Sequence, residues 1–306
     1  MKKYFFYITI IIATFFYSCD KPGPTELVDD ETFDLEILGK NLDNEYYSNG
    51  YDTSGVTEVV NQYASIISVS GLKITYNNFT TNFSSAQTFL FDRTKPFYSP
   101  DNKLLGYQTI SPIPGIIRFD NVIARLTDYR IRYKEAGILI DTVLGSKYEL
   151  YKRHGRIFGD PFTYNYNSQV NFSFNPFFIG SPVSFDIATP PEVTGSVKLI
   201  SVNDNHKFKA ELTWNAGWVN KFYVIIGGVK ISNQQVFPLY KVKTKDDGRI
   251  VIPKSLIENI PDNRFDKIAI TFVRLYDKLV AGNNNDIYVT SQSIHTVIVD
   301  RPWLNI

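Results

Sequence analysis

The chain has 306 residues, and its 32 basic residues nearly balance its 31 acidic ones. This near-neutral charge provides no basic field that would attract nucleic acid, so nucleic acid is excluded as an expected partner. A single cysteine excludes a disulfide within the chain, and the folded part must therefore be stabilised by a packed core.

The N-terminal segment has the pattern of a secretory signal peptide. Lys2 and Lys3 precede an apolar run over residues 4–17, and the small residue Ser18 stands directly before the only cysteine, Cys19. A run of about 14 residues spans roughly 21 Å as a helix, which is too short for a hydrocarbon core of about 30 Å. We therefore expect residues 1–18 to be a removable leader and not a membrane span.

The residues around the end of this leader resemble the signal of bacterial lipoproteins, in which the cleaved product begins with a lipidated cysteine. Ser18 and Cys19 match that pattern, and Phe16 stands where the family usually has leucine. The resemblance implies that Cys19 carries two or more acyl chains, which hold a protein stably at a membrane. It also implies a Gram-negative envelope, with the outer membrane as the expected location and a periplasmic or surface-exposed folded part. An ordinary signal peptide that contains a cysteine by chance is the alternative.

The next segments change from a tether to a β-rich domain. Residues 19–31 are rich in proline, glycine and charge, which is typical of an extended, flexible connector. From about residue 32, short apolar runs alternate with Gly, Asn and Asp turn positions, and no helical apolar face is sustained over three turns. This pattern predicts a β-rich domain over residues 32–188, either jelly-roll-like or immunoglobulin-like.

Paired prolines at Pro190-Pro191 predict a domain boundary, because proline cannot donate to a strand ladder. Beyond them, seven or eight short strands in about 105 residues predict a β-sandwich over residues 194–302. Asp247-Gly248 is a strong hairpin signal. Only residues 253–258 are predicted to be helical, with Pro253 near the first turn.

Two segments of this half resemble known β-domains. Residues 212–214 (Leu-Thr-Trp) and 222–224 (Phe-Tyr-Val) resemble two strands of fibronectin type III and related immunoglobulin-like domains. The resemblance implies that Trp214 packs between two sheets. Residues 247–253, with Leu256 and Arg274, resemble C-terminal β-domains of many envelope lipoproteins. The predicted fold class is all-β, with two β-sandwich domains in tandem, the C-terminal one immunoglobulin-like.

Metal and cofactor chemistry has no sequence signature here. The three histidines are far apart, and no Walker loop, Gly-x-Ser-x-Gly elbow or Gly-x-Gly-x-x-Gly motif occurs. Residues 203–205 and 283–286 concentrate oxygen side chains as calcium loops do, but plain turns are the favoured interpretation. We therefore predict no metal site and no cofactor.

Carboxylates for glycoside hydrolysis would leave no local motif, because they come from separate strands. Asp120, Asp128 and Asp141 lie among predicted strands and are candidates for such a pair. Solvated strand faces and turn caps are the favoured interpretation of all three.

Aromatic residues supply the candidate binding sites. In residues 162–167, alternation places Phe162, Tyr164 and Tyr166 on one face, and residues 170–175 repeat the pattern. Facing inward, as one hairpin, these rings form half of a sandwich core, which is the favoured interpretation. Facing outward, Tyr164 and Tyr166 form a platform on which sugars stack. A second candidate patch in a polar stretch comprises Tyr46, Tyr47 and Tyr51.

The sequence therefore predicts a lipid-anchored envelope protein with a non-catalytic binding or scaffold role and a protein or polysaccharide partner. One alternative is a carbohydrate-binding surface lipoprotein. Another is a fimbria-like structural subunit, although residues 19–31 lack the arginine at which such subunits are cleaved. A glycosidase is a more distant option.

Overall fold

The computed structural model describes residues 34–38, 47–48, 63–100, 102, 104–135, 138–178, 180–201, 208–232, 235–280 and 287–302. In the first part of the chain the strands are β1 (Asp34–Ile37), β2 (Tyr47–Ser48), β3 (Ser65–Tyr76), β4 (Phe79–Tyr98), β5 (Leu104–Thr109), β6 (Gly115–Phe119), β7 (Val122–Ile123), β8 (Arg125–Glu135), β9 (Ile138–Arg153), β10 (Gln169–Pro176) and β11 (Val183–Ala188). The second part contains β12 (Gly195–Ser201), β13 (Phe208–Trp214), β14 (Phe222–Lys230), β15 (Val236–Thr244), β16 (Arg249–Ile252), helix α1 (Lys254–Glu258), β17 (Phe265–Val280) and β18 (Ile287–Asp300).

One large sheet runs through both halves of the chain. Its strand order is β1-β15-β14-β17-β18-β3-β4-β9-β8-β2, and β5 pairs with β4 beside this path. The halves join where β18 pairs in parallel with β3, from Ile287 opposite Ser65 to Ile298 opposite Tyr76. The two smaller sheets have the orders β11-β10-β6-β7 and β12-β13-β16.

Each small sheet packs on a different part of the large one, which gives two sandwich cores. The C-terminal core joins β13 and β16 to β14, β15 and β17, and Trp214 stacks there on Phe222 with ring centroids 4.7 Å apart. The N-terminal core joins β6, β10 and β11 to β3, β4 and β9. The all-β sandwich class is thus confirmed, as is the buried position implied for Trp214.

The connection between the halves is tighter than a plain linker. Thr189 and Pro190 are buried, and the Asn167 amide donates to the Pro190 carbonyl at 3.1 Å. Because β18 and β3 also share backbone hydrogen bonds, the halves form one continuous sheet. The division into domains at 32–188 and 194–302 stays a prediction.

Gly71 lies inside β3, where the sequence pattern predicted a turn between two strands. A Cβ atom at this position would lie 2.6 Å from Cδ1 of Tyr164, a closer approach than real Cβ atoms tolerate. The glycine therefore lets an aromatic residue pack against the strand and does not end it.

Helix α1 confirms the short helix predicted after Pro253, which occupies its N-cap position. Within the described ranges, no helix has the length and apolar character needed to cross a membrane.

Candidate functional site

An open cleft of about 460 Å³ lies where the two sandwiches meet. One wall consists of the start of β10 and the end of β11, and the other of residues that precede β14. Residues 275–278 of β17, together with part of β18, form the floor between these walls. The floor exists because β17 is long: alternate residues from Ile268 to Phe272 belong to the C-terminal core, whereas Val280 packs on the N-terminal core.

An ion pair joins the wall nearest β14 to the floor of the cleft. The Lys221 ammonium donates to both Asp277 carboxylate oxygens, at 2.8 and 2.7 Å. The Tyr288 hydroxyl donates to Asp277 Oδ2 at 2.9 Å. Burial, together with the neighbouring Asp277 carboxylate, raises the pKa of Tyr288 above its ordinary value, so this hydroxyl stays protonated and keeps donating. Asp277 is thereby held in one orientation.

A second lysine ties the opposite wall to the floor. Lys278 Nζ donates to the Asp186 backbone carbonyl at 2.7 Å and lies 5.1 Å from the centre of the Phe185 ring. Asp186 in turn accepts a hydrogen bond from the Asn171 amide at 2.9 Å. These contacts connect β17 with β11 across the cleft, so its width is set by the fold.

Three further side chains present unused groups to the cleft. Gln169 and Asn220 are exposed, and within the described part of the chain their side-chain amides have no hydrogen-bond partner. The Tyr276 ring is also partly exposed on the floor. The cleft therefore offers amide donors and acceptors, carboxylate acceptors, ammonium donors and one aromatic surface to a single ligand.

A buried ionic network lies beneath the loop that supplies Asn220. Arg274 donates to Asp246 through Nε at 2.9 Å and through Nη2 at 3.0 Å, and both side chains are fully buried. Asp246 also accepts from the Trp214 indole at 2.9 Å and from the Val219 amide at 3.2 Å. Arg274 further donates to the carbonyl of Glu192 at 2.6 Å, which attaches the inter-sandwich connector to the same network.

Glycine is required at one point above this network. A Cβ atom on Gly217 would lie 2.5 Å from Cζ of Arg274. The loop over residues 215–220 therefore packs directly on the guanidinium group, and this contact restricts the conformation of the loop. Sequence analysis did not predict this ion pair, because Asp246 lies in a segment that predicts only a turn.

The alternative interpretation of Tyr164 and Tyr166 as a sugar platform is wrong. Tyr164 is 4% exposed, and its hydroxyl lies 2.9 Å from Ser291 Oγ in the N-terminal core. The Tyr166 ring stands at 77° to the Tyr164 ring, so the two do not form a flat row. The favoured core interpretation is confirmed, although residues 162–166 form no strand and hence no hairpin with β10.

The remaining candidates fall elsewhere. Cys19, Tyr46 and Tyr51 lie outside the described residues, and Tyr47 is in β2 opposite Arg132. The three aspartates do not line the cleft. Asp120 accepts from the Asn171 backbone amide at 2.8 Å, and Asp128 and Asp141 both contact Arg130. Asp120 thus lies in a turn, and Asp128 and Asp141 lie on solvated strand faces, which agrees with the favoured interpretation; their ion pairs with Arg130 were not predicted.

In the ranges that the structure describes, no three His, Cys, Asp or Glu side chains are grouped so that they could hold a metal ion. The two oxygen-rich stretches at residues 203–205 and 283–286 lie outside those ranges. His295 is described and is structural, because its ring nitrogens bond to Thr75 and to the Gly195 amide.

Comparisons with family models, with curated proteins and with solved structures give no match to this chain.

Proposed function

We propose that this protein is a lipid-anchored, non-catalytic binding protein of a bacterial envelope, and that it recognises a glycan through the cleft between its sandwiches. The observation that carries the proposal is the composition of that cleft. Gln169 and Asn220 offer unpaired amides next to the exposed ring of Tyr276. Amides pair well with neighbouring hydroxyl groups, and an aromatic ring packs on the apolar face of a sugar.

The charges in the cleft favour a neutral ligand. Lys221 forms an ion pair with Asp277, and Lys278 donates to the backbone carbonyl of Asp186. The cleft lining therefore contains two lysine ammonium groups and two aspartate carboxylates, whose charges balance. A site with balanced charges attracts neither an anionic nor a cationic ligand strongly. A ligand with many hydroxyl groups uses donors and acceptors of both kinds.

The ion pair also favours binding over hydrolysis. Asp277 accepts two hydrogen bonds from Lys221 and one from Tyr288, which leaves about one of its four lone pairs for the proton that a general acid or base would exchange. The function that we propose for the cleft is therefore recognition. The lipid anchor at Cys19 keeps the bound glycan at the envelope.

Removing the free amides is expected to weaken glycan binding. Gln169→Ala and Asn220→Ala should each lower affinity by about tenfold, the effect of losing roughly one good hydrogen bond. Affinity electrophoresis in gels containing starch, xylan, mannan or laminarin measures the change. Gln108→Ala and Asn175→Ala remove exposed amides outside the cleft and are the matched controls, which should migrate like the wild type.

Unretarded migration of the wild type in all four gels would contradict the glycan proposal. In that case the exposed Phe177 and Phe178 at the β10–β11 loop would point to a protein partner. Release of reducing ends by the wild type, lost in Asp186→Asn and Asp277→Asn, would instead identify a glycosidase.

The anchor is tested separately. Wild-type cells grown with labelled palmitate should yield labelled, membrane-associated protein, and Cys19→Ala should yield neither, because the thioether forms on the cysteine sulfur. Ser18→Ala is the matched control, since alanine keeps a small residue before the cysteine and should preserve labelling. Equal labelling of wild type and Cys19→Ala would overturn the anchor.

A further inference from the structure

Trp218 combines two features that are rarely found together. Its backbone has φ of +55°, in the left-handed region, and its side chain is 77% exposed. Left-handed backbone is costly for a residue with a Cβ atom, and bulky side chains adopt it only where the surroundings impose it. An exposed indole also gains little from burial. Neither feature stabilises the fold.

The surrounding structure holds this backbone in place. The Trp218 amide donates to the Asp246 carbonyl at 3.3 Å, and the next amide, Val219, donates to the Asp246 carboxylate. Before it, Gly217 lies against the Arg274 guanidinium. The buried network therefore fixes the residues on both sides of Trp218 and leaves its ring outside.

The indole has no internal role that would explain its position. Among the described residues, no ring stacks on Trp218 and no side chain forms a hydrogen bond with it. Strained backbone that presents a free side chain is typical of ligand-binding positions, where the strain places a functional group.

Its place in the chain connects it with the cleft. Asn220 and Lys221 line the cleft, whereas Trp218 does not. Two peptide units limit the Cα distance between Trp218 and Asn220 to about 7 Å. The Trp218 backbone therefore lies beside the wall of the cleft, and a ligand in the cleft that contacts the exposed indole must extend out of it.

We infer that Trp218 is a stacking residue for the same glycan, and that this glycan is an oligosaccharide of several rings, one held in the cleft and another on the indole. The inference rests on the proposed function and adds the ligand's length. Stacking on an aromatic face tolerates different sugars, so Trp218 contributes affinity while the cleft amides contribute selectivity.

The first test separates ligand binding from a structural role. Maltohexaose, xylohexaose, mannohexaose and laminarihexaose are titrated against wild type, Trp218→Ala, Trp218→Phe and Asn220→Ala by calorimetry. For a hexasaccharide that binds the wild type, Trp218→Ala should bind at least about tenfold more weakly, and Trp218→Phe should recover most of the loss. The matching monosaccharide should bind wild type and Trp218→Ala equally.

The second test uses the backbone. Trp218→Gly and Trp218→Ala both remove the ring, but only glycine relieves the left-handed strain. The glycine variant should therefore unfold at a temperature about 2–4 °C above the alanine variant while binding the hexasaccharide equally weakly. That result would show that the wild-type tryptophan at position 218 lowers the stability of the fold.

The outcomes are distinct. Weaker hexasaccharide binding by Asn220→Ala but not by Trp218→Ala would overturn the role of Trp218 and leave the glycan function intact. Binding of no hexasaccharide by the wild type would overturn the function, and the role of Trp218 with it.

Discussion

Substitution of Asp246 by alanine is expected to lower the free energy of unfolding by about 3–5 kcal/mol. The change would leave the fully buried Arg274 guanidinium without its carboxylate, and an unpaired charge in a protein interior is among the costliest defects. It would also remove the acceptor of the Trp214 indole. Urea unfolding followed by circular dichroism measures the loss.

Two variants show which part of the network carries this stability. Asp246→Asn keeps an acceptor for the Trp214 indole but loses the charge, so its cost should be intermediate. The double variant Asp246→Ala, Arg274→Ala removes both charges and should cost less than Asp246→Ala and Arg274→Ala added together. A double variant whose cost equals the sum of the single ones would contradict a coupled pair.

Stability is also expected to fall as the pH is lowered from about 6.5 to about 4, because of His295. Burial, with a smaller contribution from the Lys73 ammonium, lowers the pKa of His295 to about 4, although Glu192 opposes this. The Gly195 amide donates to Nδ1 at 2.8 Å, so the neutral ring directs its Nε2 proton to Thr75 Oγ1 at 2.9 Å. Protonation of Nδ1 would break the first of these hydrogen bonds.

The direction of the pH dependence is set by the difference in proton uptake between the unfolded and the folded chain. The unfolded chain takes up the proton near pH 6.5, whereas the folded chain takes it up near pH 4. The contribution of His295 is therefore fully present above pH 6.5 and is lost as the pH falls through the folded-state value, with an upper limit of about 3 kcal/mol. Denaturant unfolding at half-unit pH intervals measures the slope.

Asparagine at position 295 is the control for this prediction. His295→Asn keeps an oxygen that can accept from Gly195 but does not titrate, so it should cost stability at pH 7 and flatten the slope between pH 6.5 and 4. His154→Gln removes the other histidine whose pKa burial lowers, so it should flatten the slope as well, but less than His295→Asn does. An identical slope in wild type and His295→Asn would assign the pH dependence to other groups.

Local sequence patterns were sufficient to identify the class of the fold and part of its core. Alternating apolar residues and Asn, Asp and Gly turns are local signals, and they predicted most strands of the C-terminal half and the single helix after Pro253. The buried position of Trp214 was implied by the resemblance to fibronectin type III strands. Tyr164 was also assigned correctly to the core, although the hairpin on which that assignment depended does not form.

Strand length was beyond the sequence pattern. β4 extends from Phe79 to Tyr98, yet much of it is Thr, Ser and Asn, which alternation does not identify as strand. It forms because β3 and β9 pair with it on both sides. Residues 162–166 show the reverse case: they alternate like a strand, but Asn167 has a left-handed backbone and binds Pro190, so the segment crosses the core without pairing.

The position of the candidate site depends on contacts between residues that are far apart in the chain. Lys221 and Asp277 are 56 positions apart, and Asp186 comes from the other sandwich. They meet because β18 pairs in parallel with β3 and because β17 is long enough to extend from one core to the other. Parallel pairing of distant strands depends on the burial of two sheet faces at once, and no local pattern of residues specifies it.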